Sequence, residues 1–92
     1  MEEELKRLNA LQEKAKLIEL KPVISSNIAG IGYSEKDQLL KVAFKNKDKF
    51  ATYLYEHVGP DVFSIIRKSE SVGKAISENI IRQKDKYKYI KL

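Results

Sequence analysis

The chain is predicted to fold as an α+β domain with an N-terminal helix, a three-stranded antiparallel meander and two short helices packed on one sheet face. Over residues 2–20, apolar side chains recur every three or four positions, which is the period of an amphipathic helix. Across residues 28–56, apolar and polar side chains alternate, as they do in half-buried strands. After residue 58 the helical period returns in two segments, each behind a helix-starting signal.

The N-terminal helix presents one apolar stripe, made of Leu5, Leu8, Leu11, Ala15 and Ile18, and Pro22 stops it. An isolated helix of this length is marginal in water, so the stripe needs a partner. Docking on its own domain and pairing with another chain both stay open. The small size of the domain favours assembly, and we therefore expect a homo-oligomer formed through this helix.

The strands are expected near residues 28–33, 38–45 and 49–56. One face is expected to form the core, with Leu40, Val42, Phe44, Phe50 and Leu54. The opposite face is then expected to carry Tyr53, Tyr55, Lys41, Lys45 and Tyr33. Aromatic rings beside cations suit stacked bases and phosphates. The alternative is that Tyr53 and Tyr55 pack beneath the N-terminal helix.

Helix-starting signals stand at Gly59-Pro60-Asp61 and at Ser71. In Ser71-Val72-Gly73-Lys74, free backbone N–H groups, a glycine and a lysine are compatible with an anion site. The spacing of a complete P-loop is missing, so nucleotide hydrolysis of that type is not supported. The alternative is a serine N-cap followed by a glycine needed for close packing. Ser25-Ser26-Asn27, just before the first strand, either binds a ligand or closes a turn.

The order of these segments is similar to that of the KTSC domain. The matching segments are Ser25-Ser26-Asn27-Ile28, Ile31-Gly32-Tyr33, Leu40-x-Val42-x-Phe44, Tyr53-x-Tyr55 and Ser71-x-Gly73-Lys74. The resemblance covers roughly residues 23–92. It implies a short module that is found at the C-terminus of some lysyl-tRNA synthetases and as small free-standing proteins, with a suggestion of RNA binding and no established activity.

The chain therefore divides into an added N-terminal helix over residues 1–21, a KTSC-like core over 22–82 and a basic C-terminal tail over 83–92. The net charge is +5, of which residues 82–92 hold five basic groups and one acidic group. An RNA-binding surface across the whole fold would show a basic stripe on the core. The distribution of the charge therefore supports RNA binding less than the net charge alone does. Within the tail, alternating Tyr87 and Tyr89 are compatible with an edge strand or with a solvated terminus. Arg82, at the end of the last helix, is the best placed cation for a phosphate.

Several function classes have little support. His57 is the only histidine and the chain has no cysteine, so neither nucleophilic catalysis nor a metal site is expected, and no cofactor is implied. No apolar run approaches the roughly 20 residues of a membrane span. The sequence begins with the acidic Glu2-Glu3-Glu4, whereas a secretory signal begins with basic residues and an apolar stretch. We expect a non-enzymatic cytoplasmic binder.

Two binding hypotheses follow. The first is an oligomeric protein that sequesters a small phosphate-bearing nucleotide. A specific form of this hypothesis is a phage anti-defence sponge that binds a cyclic dinucleotide immune signal. The second is RNA binding through the tyrosine face and the basic tail. A protein-interaction module that uses the N-terminal helix alone is a further alternative. The candidate ligand-binding residues are Tyr53, Tyr55, Ser25, Ser26, Asn27, Lys41, Ser71, Gly73, Lys74 and Arg82.

Overall fold

The computed structural model describes residues 2–46, 49–83 and 86–92, and the side chains of Asn46, Lys49 and Phe50 lie outside this description. The elements are α1 (Glu2–Lys16), β1 (Lys21–Pro22), β2 (Ile28–Ser34), β3 (Leu39–Asn46), β4 (Lys49–Tyr55), α2 (Pro60–Lys68), α3 (Val72–Ile76), a π-helical segment (Ser77–Ile81) and β5 (Tyr89–Lys91). Gly59 is the N-cap of α2 with Pro60 in its first turn, and Ser71 is the N-cap of α3. Both predicted helix starts are therefore confirmed.

The sheet has five strands in the order β1-β2-β3-β4-β5, and each neighbouring pair is antiparallel. The α+β class and the central meander are confirmed, but the prediction of three strands was wrong. The additional strands contain two and three residues, which is too short for alternation to identify them. β5 pairs Tyr89 with Tyr55 and Lys91 with Tyr53, so of the two alternatives for the tail, an edge strand or a solvated terminus, the structure shows the edge strand.

The first helix ends at Lys16, four residues earlier than the expected end at residue 20. Tight backbone bonds from Leu17 N–H to the Lys14 carbonyl and from Ile18 N–H to the Ala15 carbonyl, both 3.1 Å, close its last turn. Ile18 remains buried although it lies beyond the helix. The chain then turns into β1 because its next residues pair with β2.

The assignment of side chains to the two sheet faces was wrong. Directly opposed residues share a face, and the register pairs Leu40 with Tyr55, Val42 with Tyr53 and Lys41 with Leu54. The two tyrosines therefore lie on the core face of β3, and Leu54 lies on the lysine face. Alternation was read correctly within each strand, but a shift of one residue in the pairing inverts every side chain of the neighbour. The side chain of Phe50, which was placed with Leu54, lies outside the described residues.

Helices cover both faces of the sheet. The face that carries Tyr53 and Tyr55 packs against α2, α3 and the π-helical segment through a core of Ile28, Ile31, Leu40, Val42, Tyr55, Val58, Ile66, Ala75, Ile76, Ile80 and Tyr87. The other face packs against α1 through a second cluster of Leu11, Ala15, Ile18, Leu39 and Leu54, with Ile90 beside it. Tyr53 and Tyr55 therefore do not pack beneath the N-terminal helix.

Polar contacts also fix α1 to its own domain. Arg7 binds the carboxylate of Glu56 through two hydrogen bonds of 2.8 and 2.9 Å, and Glu56 is only 8% exposed. Lys14 forms an ion pair of 3.3 Å with Asp37. The apolar stripe is thus docked in cis, although Leu5 at its N-terminal end is 60% exposed. Assembly through this helix stays a prediction.

Candidate functional site

Strands β3, β4 and β5 bring four aromatic rings together at one end of the core face. Tyr53 lies between Phe44 and Tyr89, with ring centroids 5.7 and 5.8 Å away in edge-to-face geometry. Tyr55 lies 5.7 Å from Tyr89 with its ring tilted. These four rings, with Lys45, Ala51 and Ile81, line an open cavity of about 520 Å³, which we name the aromatic groove.

The rings of the groove differ in accessibility. Tyr55 is 7% exposed and forms part of the core, whereas Tyr89 is 59% exposed on the edge strand. Tyr53 is half-buried between them. Burial raises the pKa of Tyr55 to about 12, so its phenol is neutral at physiological pH. Tyr89 and Tyr53, unlike Tyr55, are therefore accessible to a planar ligand.

Cations surround the groove, and its described lining residues include no carboxylate. Lys45 is exposed and its ammonium group donates a 3.1 Å hydrogen bond to the Ser25 carbonyl. Lys91 is directly opposite Tyr53 and therefore stands on the same face, at the outer edge of the sheet. Arg82 is exposed and directly follows Ile81, a lining residue. The charge at the groove thus favours an anionic ligand.

Lys41 lies on the opposite sheet face and does not join the tyrosines. Its ammonium group donates hydrogen bonds to the carbonyls of Ala15, at 3.0 Å, and Ile18, at 3.2 Å. These carbonyls belong to the C-terminal end of α1, where a cation is favoured by the helix dipole. The placement of Lys41 in a pocket with Tyr53 and Tyr55 was therefore wrong, because it rested on the inverted face assignment.

Two sequence motifs that are far apart in the chain meet in space. The Ser25 hydroxyl accepts bonds from the backbone N–H groups of Asn27 and Ile28, both at 3.3 Å, and donates to Asn27 Oδ1 at 2.9 Å. Gly73 is buried against this turn, and a Cβ atom there would lie 2.5 Å from Asn27 Oδ1 and 2.9 Å from Ser25 Oγ. We name this contact of Ser25, Asn27 and Gly73 the loop junction.

The hydrogen bonds around the loop junction account for much of both motifs. Ser71 Oγ accepts a 3.3 Å bond from the Lys74 backbone N–H, as an N-cap does. The glycine provides the close approach of α3 to the turn. The side chains of Ser26 and Lys74 are exposed beside it. An anion site at Ser71–Lys74 stays a prediction.

The structure thus places the candidate residues in three groups. Tyr53 and Tyr55 lie in the aromatic groove, and Arg82 directly follows its lining residue Ile81. The Ser25–Asn27 and Ser71–Lys74 motifs meet at the loop junction, and Lys41 is apart. Lys45 links the first two groups, because it lines the groove and bonds to Ser25. Tyr33 shares the face of Tyr53 but stacks on Phe63, with centroids 4.3 Å apart, away from the groove lining.

Sequence reasoning missed Phe44, Tyr89 and Ile81 as groove residues, and Lys91 as a cation on the face of Tyr53. Phe44 was assigned to the core, and Tyr89 and Lys91 were assigned to the tail. The alternation of Tyr87 and Tyr89 was the available signal, because it indicated a strand whose face depended on the register with β4.

His57 is the only histidine of the sequence. His57 is exposed and has a left-handed backbone conformation, with φ of 61°. Over residues 2–46, 49–83 and 86–92 there is no cluster of three or more His, Cys, Asp or Glu that could hold a metal ion. In the same residues, no helix has the length and apolar character that a membrane span requires. What the groove offers is stacking and charge.

Comparison with known proteins identifies the fold. The family model of the KTSC domain matches residues 24–87. The chain belongs to the KTSC domain family. Helix α1 and β1 lie before the matched region and β5 lies after it, so the matched region comprises β2, β3 and β4 with α2, α3 and the π-helical segment.

Two relatives agree with this assignment. A protein of Tsukamurella paurometabola is 38% identical over 58 residues, which are 63% of this chain and 82% of that protein. The crystal structure of a KTSC domain protein from Yersinia pestis superposes with a TM-score of 0.69 at 27% identity, over 82% of this chain and 97% of that one. The fold of this KTSC domain is therefore shared with a solved relative.

Proposed function

We propose that this KTSC protein is a non-enzymatic binder of a phosphate-bearing nucleotide and that the base lies in the aromatic groove. The observation that carries the proposal is the set of contacting rings of Phe44, Tyr53, Tyr55 and Tyr89 around an open cavity of about 520 Å³. Small-molecule sites usually measure about 300–1,000 Å³. The groove is therefore large enough for a base with its sugar.

Stacking supplies the affinity in this proposal. Edge-to-face packing against Phe44 and Tyr89 holds the Tyr53 ring in place, so little side-chain entropy is lost when a base stacks. One base on an aromatic side chain contributes about 1–3 kcal/mol. The exposed ring of Tyr89 offers a second surface for the same base or its neighbour.

Charge supplies the phosphate contact. Lys45, Lys91 and Arg82 are exposed around the groove. Each can approach a phosphate without leaving a buried partner unpaired. A neutral nucleoside should consequently bind more weakly than its 5′-phosphate, and the difference should fall as salt is added.

Sequestration of a small nucleotide, for example a cyclic dinucleotide immune signal, is the form of the proposal that the size of the groove favours. RNA is a second candidate, because β5 places Tyr89 and Lys91 on the face of Tyr53, so the tyrosines and the tail form one surface. Deleting residues 83–92 is a poor test of RNA binding, since Tyr87 is 4% exposed in the core and its loss would destabilise the fold. Single substitutions are needed.

The experiment compares Tyr53→Ala, Tyr53→Phe and Tyr89→Ala with the parent protein, using calorimetric titration of mononucleotides, cyclic dinucleotides and short RNAs. Loss of one stacked ring should weaken binding by about 5- to 150-fold, which corresponds to about 1–3 kcal/mol. Tyr53→Phe keeps the ring and should retain most of the affinity. A ligand that binds should also raise the melting temperature of the parent protein.

Leu5→Ala is the matched control, because Leu5 is as exposed as Tyr89 but lies on α1, on the opposite sheet face. Circular dichroism of each variant checks that it remains folded. If Tyr53→Ala and Tyr89→Ala stay folded and bind every ligand within about twofold of the Leu5→Ala control, the groove is not the site. Binding of RNA alone, lost in both tyrosine variants, would select the second candidate.

A further inference from the structure

Lys41 is the candidate binding residue that the aromatic groove does not use. Its side chain is half-buried on the sheet face that packs against α1, and its ammonium group donates hydrogen bonds to the carbonyls of Ala15 and Ile18. An ammonium group has three N–H donors, so two bonds leave a third donor for a further partner. Among the residues that the structure describes, no carboxylate forms an ion pair with Lys41. The carbonyl dipoles of α1 therefore hold the lysine without neutralising its charge.

A second cavity, of about 360 Å³, opens beside Lys41 between α1 and the sheet. One wall is formed by Gln12 and Ala15 of α1 and by Leu20 after it, and the sheet contributes Lys41, Thr52 and Leu92. We name this cavity the lysine pocket. Thr52 precedes Tyr53 on β4, so the two side chains point to opposite faces of the sheet. The lysine pocket and the aromatic groove are therefore separated by the thickness of the sheet.

Most of the surface of the lysine pocket is apolar. Ala15 is buried in the cluster beneath α1, and Leu20 and Leu92 add aliphatic side chains beside it. The backbone N–H of Leu92 donates a 2.8 Å hydrogen bond to the Thr52 carbonyl, which holds this leucine against β4. Small-molecule sites usually measure about 300–1,000 Å³, so this pocket is suited to a small ligand with a hydrocarbon body.

The charged groups that line the lysine pocket are cations. Besides Lys41 the lining includes Lys16, whose ammonium group pairs with the exposed Glu13 at 3.1 Å. The described lining residues include no acidic side chain. A half-buried cation that has no carboxylate partner in the described chain favours a ligand with a negative charge.

The donors of the pocket match a carboxylate. Lys41 lies directly opposite Leu54, so Thr52, two residues away on β4, is its diagonal neighbour on the same face. One carboxylate oxygen accepts a hydrogen bond from the Lys41 ammonium group and the other accepts one from the Thr52 hydroxyl. A phosphate dianion would bring more oxygens and more charge than these two donors satisfy.

We infer that the lysine pocket binds a small monocarboxylic acid, with its carboxylate at Lys41 and Thr52 and its aliphatic chain against Leu20 and Leu92. This ligand differs in chemical class from the nucleotide of the proposed function, and its site lies on the other face of the sheet. The inference therefore does not depend on the proposed function.

The test titrates the isotope-labelled protein with butanoate, hexanoate, octanoate and hexanamide and follows the backbone amide signals by NMR. Hexanoate should shift the amide signals of Ala15 and Thr52 in a saturable manner, because these residues line the pocket. Each methylene that becomes buried should tighten binding by up to about fourfold. Hexanamide has the same chain without the charge, and it should bind at least about tenfold more weakly, because charge-assisted hydrogen bonds are the stronger ones.

Two variants test the donors. Lys41→Met removes the ammonium group but keeps an unbranched side chain, and it should weaken hexanoate binding by at least about tenfold. Thr52→Val keeps the shape of the side chain and removes the hydroxyl, so it should cost about fivefold, which corresponds to one hydrogen bond. Lys6→Ala is the matched control, because it removes an exposed cation of α1 that is not among the lining residues, and it should bind within about twofold of the parent protein.

Hexanamide that binds as tightly as hexanoate would overturn the inference, because the charge of Lys41 would then play no part. Amide shifts at Phe44 and Tyr89 instead of Ala15 and Thr52 would also overturn it, since they would place the acid in the aromatic groove. The same holds if no acid gives a saturable shift, or if a folded Lys41→Met protein binds like the parent. If circular dichroism shows that Lys41→Met loosens α1, the hexanamide comparison and Thr52→Val decide the inference in proteins that keep the helix.

Discussion

Replacing Gly73 by alanine tests whether the glycine serves packing at the loop junction or an anion site. The added Cβ atom would lie 2.5 Å from Asn27 Oδ1 and 2.9 Å from Ser25 Oγ, so one side of the junction must move. Movement of Ser25 would weaken the hydrogen bonds that its hydroxyl accepts from the backbone N–H groups of Asn27 and Ile28. Overpacking of this kind costs about 1–3 kcal/mol, and one lost hydrogen bond adds about 1 kcal/mol. The better helix propensity of alanine offsets about 1 kcal/mol of this loss of unfolding free energy.

The expected net loss is therefore about 1–3 kcal/mol of unfolding free energy, which for a domain of this size lowers the melting temperature by about 5–20 °C. Urea unfolding followed by circular dichroism measures the free energy directly. In the double variant Gly73→Ala with Asn27→Ala, the nearest obstacle is removed, so the two changes should couple by about 0.5–3 kcal/mol.

Gly59→Ala is the matched control. Its Cβ atom would meet the Asp61 carboxylate at 2.7 Å, and that exposed side chain can rotate away, so we expect a change within about 0.5 kcal/mol. A Gly73→Ala protein as stable as the parent would refute the packing argument. If that stable variant also lost affinity for phosphate-bearing ligands, the anion site at Ser71–Lys74 would be favoured instead.

Three further outcomes are expected. Burial raises the pKa of Tyr55 to about 12, so the unfolded chain loses this proton first and the free energy of unfolding should fall as pH rises from 10 towards 12. In urea titrations at several pH values, Tyr55→Phe should make that fall less steep. A pH profile that is the same in the variant would contradict this. Arg7→Ala leaves the buried Glu56 carboxylate without its partner, so the amide hydrogens of α1 should exchange faster with solvent. Adding Glu56→Gln to the Arg7→Ala protein should restore part of the protection. Unchanged exchange in Arg7→Ala would show that the ion pair does not hold the helix. Gly32→Ala should destabilise more than Gly73→Ala, because its Cβ atom meets the backbone carbonyl of Glu19, and urea midpoints that rank the two variants the other way would refute this.

Local signals predicted much of the fold. Gly59-Pro60 and Ser71 mark helix starts through capping chemistry, which depends only on neighbouring residues. The three central strands follow from alternation, and the order of the segments was sufficient to recognise the KTSC resemblance, which the family match confirms. β1 and β5 were not predicted, because strands of two and three residues are defined only by their pairing partners.

The candidate site was predictable only in part. Tyr53 and Tyr55 were selected correctly as a pair that shares a face, since that follows from their spacing within one strand. The rings that contact them were not predicted, because Phe44 and Tyr89 belong to other strands. Lys41 was attributed to the same surface, whereas it caps the end of α1.

The sequence by itself determined where the helices begin, where the three central strands lie, which side chains of one strand share a face, and which family the chain resembles, because these properties depend on residues close together along the chain. Only the tertiary structure decided which faces of neighbouring strands coincide. Register is set by pairing between distant segments, and a shift of one residue exchanges the two faces of a strand. That choice separated Tyr53 from Lys41 and placed it beside Phe44, Tyr89 and Lys91.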